Sequence, residues 1–182
     1  MCMDWGLGIN SAGNKANMTW AKDPSLPSIH QRILHALEII ASTTPDTSRF
    51  DSDLRMNAGY TKVYALACPQ SLMYDGRVGA ALGWLVRKYC LSMTLKTVPS
   101  EIAFRWGKAK GSRPGHGPNR NPSLNDLRFL PLTNIGSIHA EWNIKANWIV
   151  ASAITQSKAE WCSGTDGLRK VESALFMIGY DL

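Results

Sequence analysis

Two residues in the first half of the chain carry side chains that could do chemistry together. Lys62 lies in the sequence MNAGYTKV (residues 56–63), and Asp75 lies in the sequence YDGRV (residues 74–78). A neutral lysine amine is a nucleophile, and a carboxylate stabilises positive charge that develops on a neighbouring atom. Each residue is expected at the start of a helix. We therefore predict that the amine and the carboxylate, thirteen positions apart, face one cleft.

The local sequence places these residues at helix starts. Gly59 permits a turn, and a helix is predicted from residue 60 or 61 to residue 67, ending at Pro69. Asp75 stands at the N-cap of the next helix, where a carboxylate accepts hydrogen bonds from free backbone N–H groups. The apolar face of that helix has helical spacing and consists of Val78, Leu82, Leu85, Val86 and Tyr89.

The rest of the chain is also predicted to be helical. Ser28 and Gln31 form a capping box before a helix that ends near residues 43–45, and a polar loop is predicted over residues 44–52. Longer helices are expected over residues 137–156 and 166–178, and short ones near residues 53–56 and 99–106. With no convincing strand pattern, we predict an all-α compact helical bundle, a single domain over residues 1–182 with an irregular segment at residues 1–24.

A basic, Gly- and Pro-rich run begins at residue 107 and almost lacks apolar side chains at first. We predict that residues 107–135 form an exposed loop, because such a composition cannot join a core. The candidate phosphate contacts in this loop are Lys108, Lys110, Arg113 and Arg120. Trp106 and His116 lie close to the loop and are candidates for contacting a base.

Composition limits the partners and the compartment. A net charge of +6 suits a polyanionic partner. The cysteines are far apart in sequence, which favours a reduced intracellular protein and disfavours a zinc site. No run is apolar and long enough for a membrane span, and residues 1–17 lack the pattern of a secretory signal. We expect a cytoplasmic, bacterial-type protein with no metal, cofactor or membrane partner.

The segment from residue 56 to residue 90 resembles the helix-hairpin-helix DNA glycosylases, most closely the 8-oxoguanine glycosylase branch. Thr61-Lys62-Val63 matches the end of the family's hairpin, and residues 74–78 match its Val-Asp-x-x-Val-like segment with Tyr in place of Val. The chain departs from the family in keeping only Gly59, preceded by Ala58, in the hairpin. The interval from Lys62 to Asp75 is also shorter than is usual in the family. The resemblance therefore implies a divergent, compact member.

This resemblance implies excision of a damaged or modified base from double-stranded DNA after the nucleotide is flipped out. Lys62 would attack the anomeric carbon and form a Schiff base, which allows AP-lyase cleavage. Asp75 would stabilise the charged sugar, or would activate water if Lys62 is not the nucleophile. Gly59, Thr61 and Arg77 would join the loop cations as DNA contacts. No cofactor is implied.

Several alternatives stay open. Oxidised guanine is the substrate that the resemblance favours, in DNA repair. A modified base in foreign DNA is the alternative, in antiviral defence. Two alternatives to a glycosylase are a non-catalytic nucleic-acid-binding module and a helical interaction subunit whose positive charge is incidental.

Overall fold

Six α-helices contain half of the residues that the structure describes. The structure is a computed structural model that describes residues 12–109 and 117–182. The helices are α1 (Ala12–Ala21), α2 (Ile29–Ala41), α3 (Tyr60–Ala67), α4 (Gly76–Ser92), α5 (Gly136–Ser157) and α6 (Gly167–Ile178). Short 3-10 helices span Thr47–Asp51, Ser100–Ile102 and Glu160–Cys162. Over the described ranges there are isolated β-bridges but no strand, so the prediction of an all-α fold is confirmed.

The core has two main parts that share α5. The first part surrounds Tyr60 and Tyr64 and is closed by α1, α2 and the first half of α5. The second part surrounds Tyr74 and Val78 and is closed by α4, α6 and the rest of α5. A helix of 22 residues is about 33 Å long, enough to pass through both parts. Helix α5 is therefore the central element against which α3 and α4 are both placed.

The caps of the helices follow the local sequence. The capping box of Ser28 and Gln31 is present, and Asp75 caps α4, as predicted. Helix α3 has no cap from Gly59 itself. Instead, Asn57 Oδ1 accepts hydrogen bonds from the backbone N–H groups of Gly59 and Tyr60, at 2.9 and 3.1 Å. An Asn two residues before the cap position thus performs the capping role.

One face of α4 consists of glycines that admit other backbone segments. A Cβ atom on Gly76 would lie 2.6 Å from Gly107 Cα, and one on Gly79 would lie 1.9 Å from the carbonyl oxygen of Arg105. A Cβ on Gly83 would lie 2.7 Å from the ring of Pro122. These positions, at i, i+3 and i+7, share one helix face. Because they lack side chains, the chain around residues 104–107 lies directly on the start of α4.

Three predictions about the first half of the chain are wrong. The segment 1–24 is not irregular from residue 12 onward, because α1 docks through the buried side chains of Asn17 and Trp20. The polar loop predicted before residue 53 contains the 3-10 helix Thr47–Asp51, which buries Phe50. Residues 53–56 form a turn instead of a short helix.

Two predictions about the middle of the chain also need correction. The short helix near residues 99–106 is reduced to Ser100–Ile102, because Trp106 pairs with Pro131 in an isolated bridge. The segment 107–135 is not wholly exposed, since Leu127 and Phe129 are buried and Pro122 lies against Gly83. Within the described part of the chain, no helix combines the length and apolarity needed to cross a bilayer.

Candidate functional site

Asp75 lies at the N-terminus of α4 and uses one carboxylate oxygen as a cap. Its Oδ1 accepts hydrogen bonds from the backbone N–H groups of Arg77 and Val78, at 2.8 and 3.1 Å. The residue is half-buried. The N-terminus of a helix carries partial positive charge, which attracts an acidic side chain. Asp75 is therefore a fixed negative charge at the end of a rigid helix.

A buried hydrogen bond joins the first turn of α3 to the residue before Asp75. Thr61 is fully buried, and its hydroxyl lies 3.3 Å from two carbonyl oxygens, those of Tyr74 and Ala58, which share its single hydrogen. Lys62 is the next residue of α3 and is half-buried. The segments that carry the predicted amine and carboxylate therefore adjoin in the fold.

Two residues predicted to contact DNA are buried here. Thr61 is wholly enclosed by protein, and the Gly59 N–H donates to Asn57. Their predicted direct grip on a phosphate is wrong, because both groups have partners within the protein. The surroundings of α3 also depart from a short helical hairpin, since the preceding element is the 3-10 helix Thr47–Asp51.

Two arginines lie beside Asp75 and stack on aromatic rings. The Arg77 guanidinium carbon lies 4.3 Å from the ring centre of Phe176 and 5.1 Å from that of Tyr180. Arg120 lies 5.9 Å from the Tyr180 ring centre and donates from Nε to the Tyr180 carbonyl at 3.4 Å. Burial lowers the pKa of Arg120, the charge of Arg77 lowers it further, and Asp75 acts in the opposite direction. Because both guanidinium groups lie over the Tyr180 ring, Arg77 and Arg120 share one surface at the start of α4.

The basic run reaches the same place through a glycine contact. The Gly107 N–H donates to the carbonyl oxygen of Gly76 at 3.1 Å, and the exposed Lys108 follows directly. Lys110, Arg113 and His116, predicted to contact DNA or a base, lie outside the described residues. We call Lys62, Arg77, Lys108 and Arg120 the α4 basic cluster. Its members come from separate parts of the sequence. Arg77 belongs to the first turn of α4, Arg120 shares the Tyr180 ring with it, and the two lysines each follow a residue that bonds to residue 74 or 76.

Trp106 does not offer a surface to a base. The residue is only 8% exposed, and its indole N–H donates to the carbonyl oxygen of Phe129 at 3.1 Å. The prediction that Trp106 contacts a flipped base is wrong, because both the ring and its polar atom are engaged in the core. Its role in the fold is to hold the segment after residue 103 against residues 129–131.

A buried histidine behind Asp75 was not singled out by the sequence pattern. His139 of α5 lies 2.8 Å through Nε2 from the carbonyl oxygen of Tyr74. Burial lowers its pKa, and because a carbonyl oxygen can only accept a hydrogen bond, Nε2 carries a proton and is the donor. The polar residues at positions 139, 143 and 147 are spaced i, i+4 and i+8. This spacing was the one available signal for a polar stripe within a buried helix.

A separate apolar groove of about 460 Å³ lies along the second half of α4. Its lining includes Leu85 and Tyr89 of α4, Ile149 of α5 and Trp161. No member of the α4 basic cluster lines it, and neither does Asp75. The groove is therefore distinct from the charged site at the start of the helix.

The chemistry of the charged site is that of cations arranged around one carboxylate. Among the described residues, no group of three or more His, Cys, Asp or Glu side chains is arranged to hold a metal ion. The α4 basic cluster can bind an anion such as a phosphate, while Asp75 can stabilise a cation that develops beside it. The site therefore combines an anion-binding rim with one fixed carboxylate.

Comparisons with protein-family models, with curated proteins and with solved structures each found no match to this chain. The likeness to the DNA glycosylases consequently rests on the residues of α3 and the start of α4.

Proposed function

We propose that this chain binds double-stranded DNA over the α4 basic cluster and excises a damaged or modified base there, as a compact glycosylase of the helix-hairpin-helix type. The observation that carries the proposal is the hydrogen bond from Thr61 to the Tyr74 carbonyl. It brings the start of α3, with Lys62, against the start of α4, with Asp75. This closeness of the two segments supports a common site for Lys62 and Asp75.

The positive charges around Asp75 support a duplex as the ligand. Arg77 and Arg120 stack on Phe176 and Tyr180, so their guanidinium groups are held in place before a ligand arrives. A preorganised cation loses less side-chain entropy when it contacts a phosphate. Lys108 extends the positive surface from α4 toward the basic run. The net charge of +6 adds long-range attraction for a polyanion.

The proposed reaction uses Lys62 as the nucleophile and Asp75 as the stabilising charge. The neutral amine attacks C1′ of the flipped nucleotide, and the bond from C1′ to the base nitrogen breaks. Its electron pair leaves with the base, which takes up a proton. Opening of the sugar ring gives a Schiff base. Removal of a C2′ proton then expels the 3′ phosphate, which cleaves the strand. Asp75 stabilises the positive charge on the sugar during the first step.

A second candidate is a nucleic-acid-binding module without catalysis. It is favoured by the engagement of Asp75 in capping α4 and by the burial of Thr61 and Gly59. In that case these residues serve stability, and the α4 basic cluster alone serves binding. The two candidates differ in one observable property, which is release of a base.

Borohydride trapping separates the candidates. Wild type, Lys62→Ala and Asp75→Asn are incubated with duplexes that each contain one oxidised, alkylated, deaminated or otherwise modified base. Lys96→Ala is the matched control, because Lys96 is exposed beyond the far end of α4. We expect a covalent adduct with wild type and Lys96→Ala that is lost in Lys62→Ala.

The other outcomes are equally informative. Base release without an adduct, abolished in Asp75→Asn, assigns hydrolysis by a water that Asp75 activates. Tight duplex binding with no base released from any duplex refutes the glycosylase and leaves the binding module. Absence of salt-sensitive binding refutes both candidates.

A further inference from the structure

The segment between α3 and α4 enters the core without regular secondary structure. Residues 71–74 precede Asp75, and Ser71, Leu72 and Tyr74 are almost completely buried. A buried extended segment cannot satisfy its own N–H and C=O groups, and each unpaired group costs stability. The partners of this segment are therefore informative.

Side chains from three helices bond to this backbone. From α5, Asn147 Oδ1 accepts from the Leu72 N–H and Asn143 Nδ2 donates to the Leu72 carbonyl, each at 2.9 Å. From α6, Glu172 Oε2 accepts from the Met73 N–H at 2.6 Å, and Arg169 donates to the Ser71 carbonyl. The carbonyl oxygen of Tyr74 accepts hydrogen bonds from His139 of α5 and from Thr61 of α3.

The two contacts on the Tyr74 carbonyl fix the orientation of the peptide group between Tyr74 and Asp75. The Tyr74 carbonyl and the Asp75 N–H belong to one peptide plane, and that plane is rigid. Two donors, His139 Nε2–H and the Thr61 hydroxyl, approach the same oxygen from α5 and α3. Fixing this oxygen fixes the direction in which the backbone enters α4. The position of the Asp75 carboxylate depends on that direction.

From this geometry we infer that His139 is a positioning residue for Asp75, which it places through the carbonyl oxygen of Tyr74. Asn143 and Asn147 belong to the same polar stripe of α5 and bond to the backbone of Leu72, which precedes Tyr74 in the segment. The inference rests on the proposed function, because it gives His139 a role in the reaction assigned to Asp75. A buried polar stripe of this kind costs desolvation, and the bonds on residues 72 and 74 offset part of that cost, while among the described residues Asn143 Oδ1 has no hydrogen-bond partner.

The test compares His139→Leu with His139→Gln. Leucine has no donor for the Tyr74 carbonyl, whereas the glutamine amide nitrogen reaches about as far as Nε2. Single-turnover base release is measured on the duplex that gives most product, together with duplex affinity. We expect a fall in rate of roughly tenfold to a hundredfold in His139→Leu, since small displacements of a reacting group have effects of this size. Affinity should stay within about twofold, because the α4 basic cluster is unchanged.

His139→Gln should recover most of the lost rate. Equal rates in wild type and His139→Leu overturn the inference, and so do equal losses in the Leu and Gln variants. If His139→Leu does not fold, His139→Asn carries the same expectation, because the asparagine amide is one carbon shorter than that of glutamine and does not reach the Tyr74 carbonyl.

Amide exchange keeps this inference separate from the proposed function. Asp75 Oδ1 bonds the N–H groups of Arg77 and Val78, so their exchange reports the placement of the carboxylate whether or not any duplex is cut. We expect faster exchange at both amides in His139→Leu and not in His139→Gln. Unchanged exchange in both variants overturns the inference. Faster exchange in the Leu variant with no base release by wild type supports the positioning role and refutes the glycosylase.

Discussion

Replacing Gly79 with alanine tests whether the glycine face of α4 organises the site. The added Cβ would lie 1.9 Å from the Arg105 carbonyl oxygen and 3.0 Å from the Tyr74 hydroxyl. Carbon and oxygen atoms cannot approach to 1.9 Å without a bond, so the backbone at Arg105 must move by more than about 1 Å. The same carbonyl accepts a hydrogen bond from the Tyr74 hydroxyl at 2.7 Å, which that movement disrupts.

The expected loss of stability follows from three contributions. Overpacking costs about 1–3 kcal/mol. Leaving the buried Tyr74 hydroxyl without its partner costs about 1–3 kcal/mol. The better helix propensity of alanine returns about 1 kcal/mol. The free energy of unfolding should therefore fall by about 3 kcal/mol, within a range of about 1–5 kcal/mol.

Urea denaturation measures this change directly. With a slope of about 2 kcal/mol per molar urea, the midpoint of Gly79→Ala should fall by about 1.5 M. The matched control is Gly13→Ala in α1, where an added Cβ meets no atom within 4 Å. The control should be as stable as wild type or more stable by up to about 1 kcal/mol. A Gly79→Ala variant as stable as wild type would refute the close packing of Arg105 on α4.

Three further predictions concern single residues of the site. Asp75→Ala should lower the free energy of unfolding by about 0.5–2 kcal/mol because α4 loses its cap, whereas Asp75→Asn should be about as stable as wild type. Equal urea midpoints for the two variants would contradict the capping role. Asn57→Ala should cost about 1 kcal/mol, because the first N–H groups of α3 lose their acceptor, and an unchanged midpoint would show that α3 needs no such cap. The folded pKa of His139 lies below its ordinary value of 6.5, so its stabilising effect is complete above pH 6.5 and is lost as the pH falls toward the folded pKa. The stability advantage of wild type over His139→Gln should therefore shrink below pH 6.5 by up to about 1.4 kcal/mol per pH unit, and a difference independent of pH in urea titrations would contradict this.

The helices were predictable from sequence where their signals are local. The capping box at Ser28, the cap at Asp75 and the apolar spacing of α4 to α6 each involve residues within a few positions of one another. The spacing of apolar residues was a poorer guide to which side chains are buried toward the ends of the helices. Leu85 and Tyr89 belong to the predicted apolar face of α4 but are exposed, because that face opens into the apolar groove in the second half of the helix.

Helix α1 was missed because its partners are distant in sequence. Its buried face includes Asn17, whose Oδ1 accepts from Arg55 Nε at 2.7 Å and from Asn57 Nδ2 at 2.8 Å. Polar residues on a buried face weaken the apolar periodicity by which a helix is recognised. The amide becomes favourable in the core only through contacts some 40 positions away.

The candidate site was predictable only in part, for the same reason. The sequence indicates that Asp75 begins a helix, but the approach of α3 depends on the contact between Thr61 and Tyr74. The glycines at positions 76, 79 and 83 were a usable signal for a close backbone neighbour. The identity of that neighbour, at residues 104–107, required the fold.

The salt dependence of duplex binding tests most directly whether the start of α4 is a DNA site. Each arginine that contacts a phosphate contributes about 0.9 to the slope of log K against log salt concentration. We predict that Arg77→Gln and Arg120→Gln each reduce the magnitude of this slope by about 0.9, while Lys96→Gln, at the other end of α4, leaves it unchanged. Equal slopes in all three variants and wild type would contradict the account.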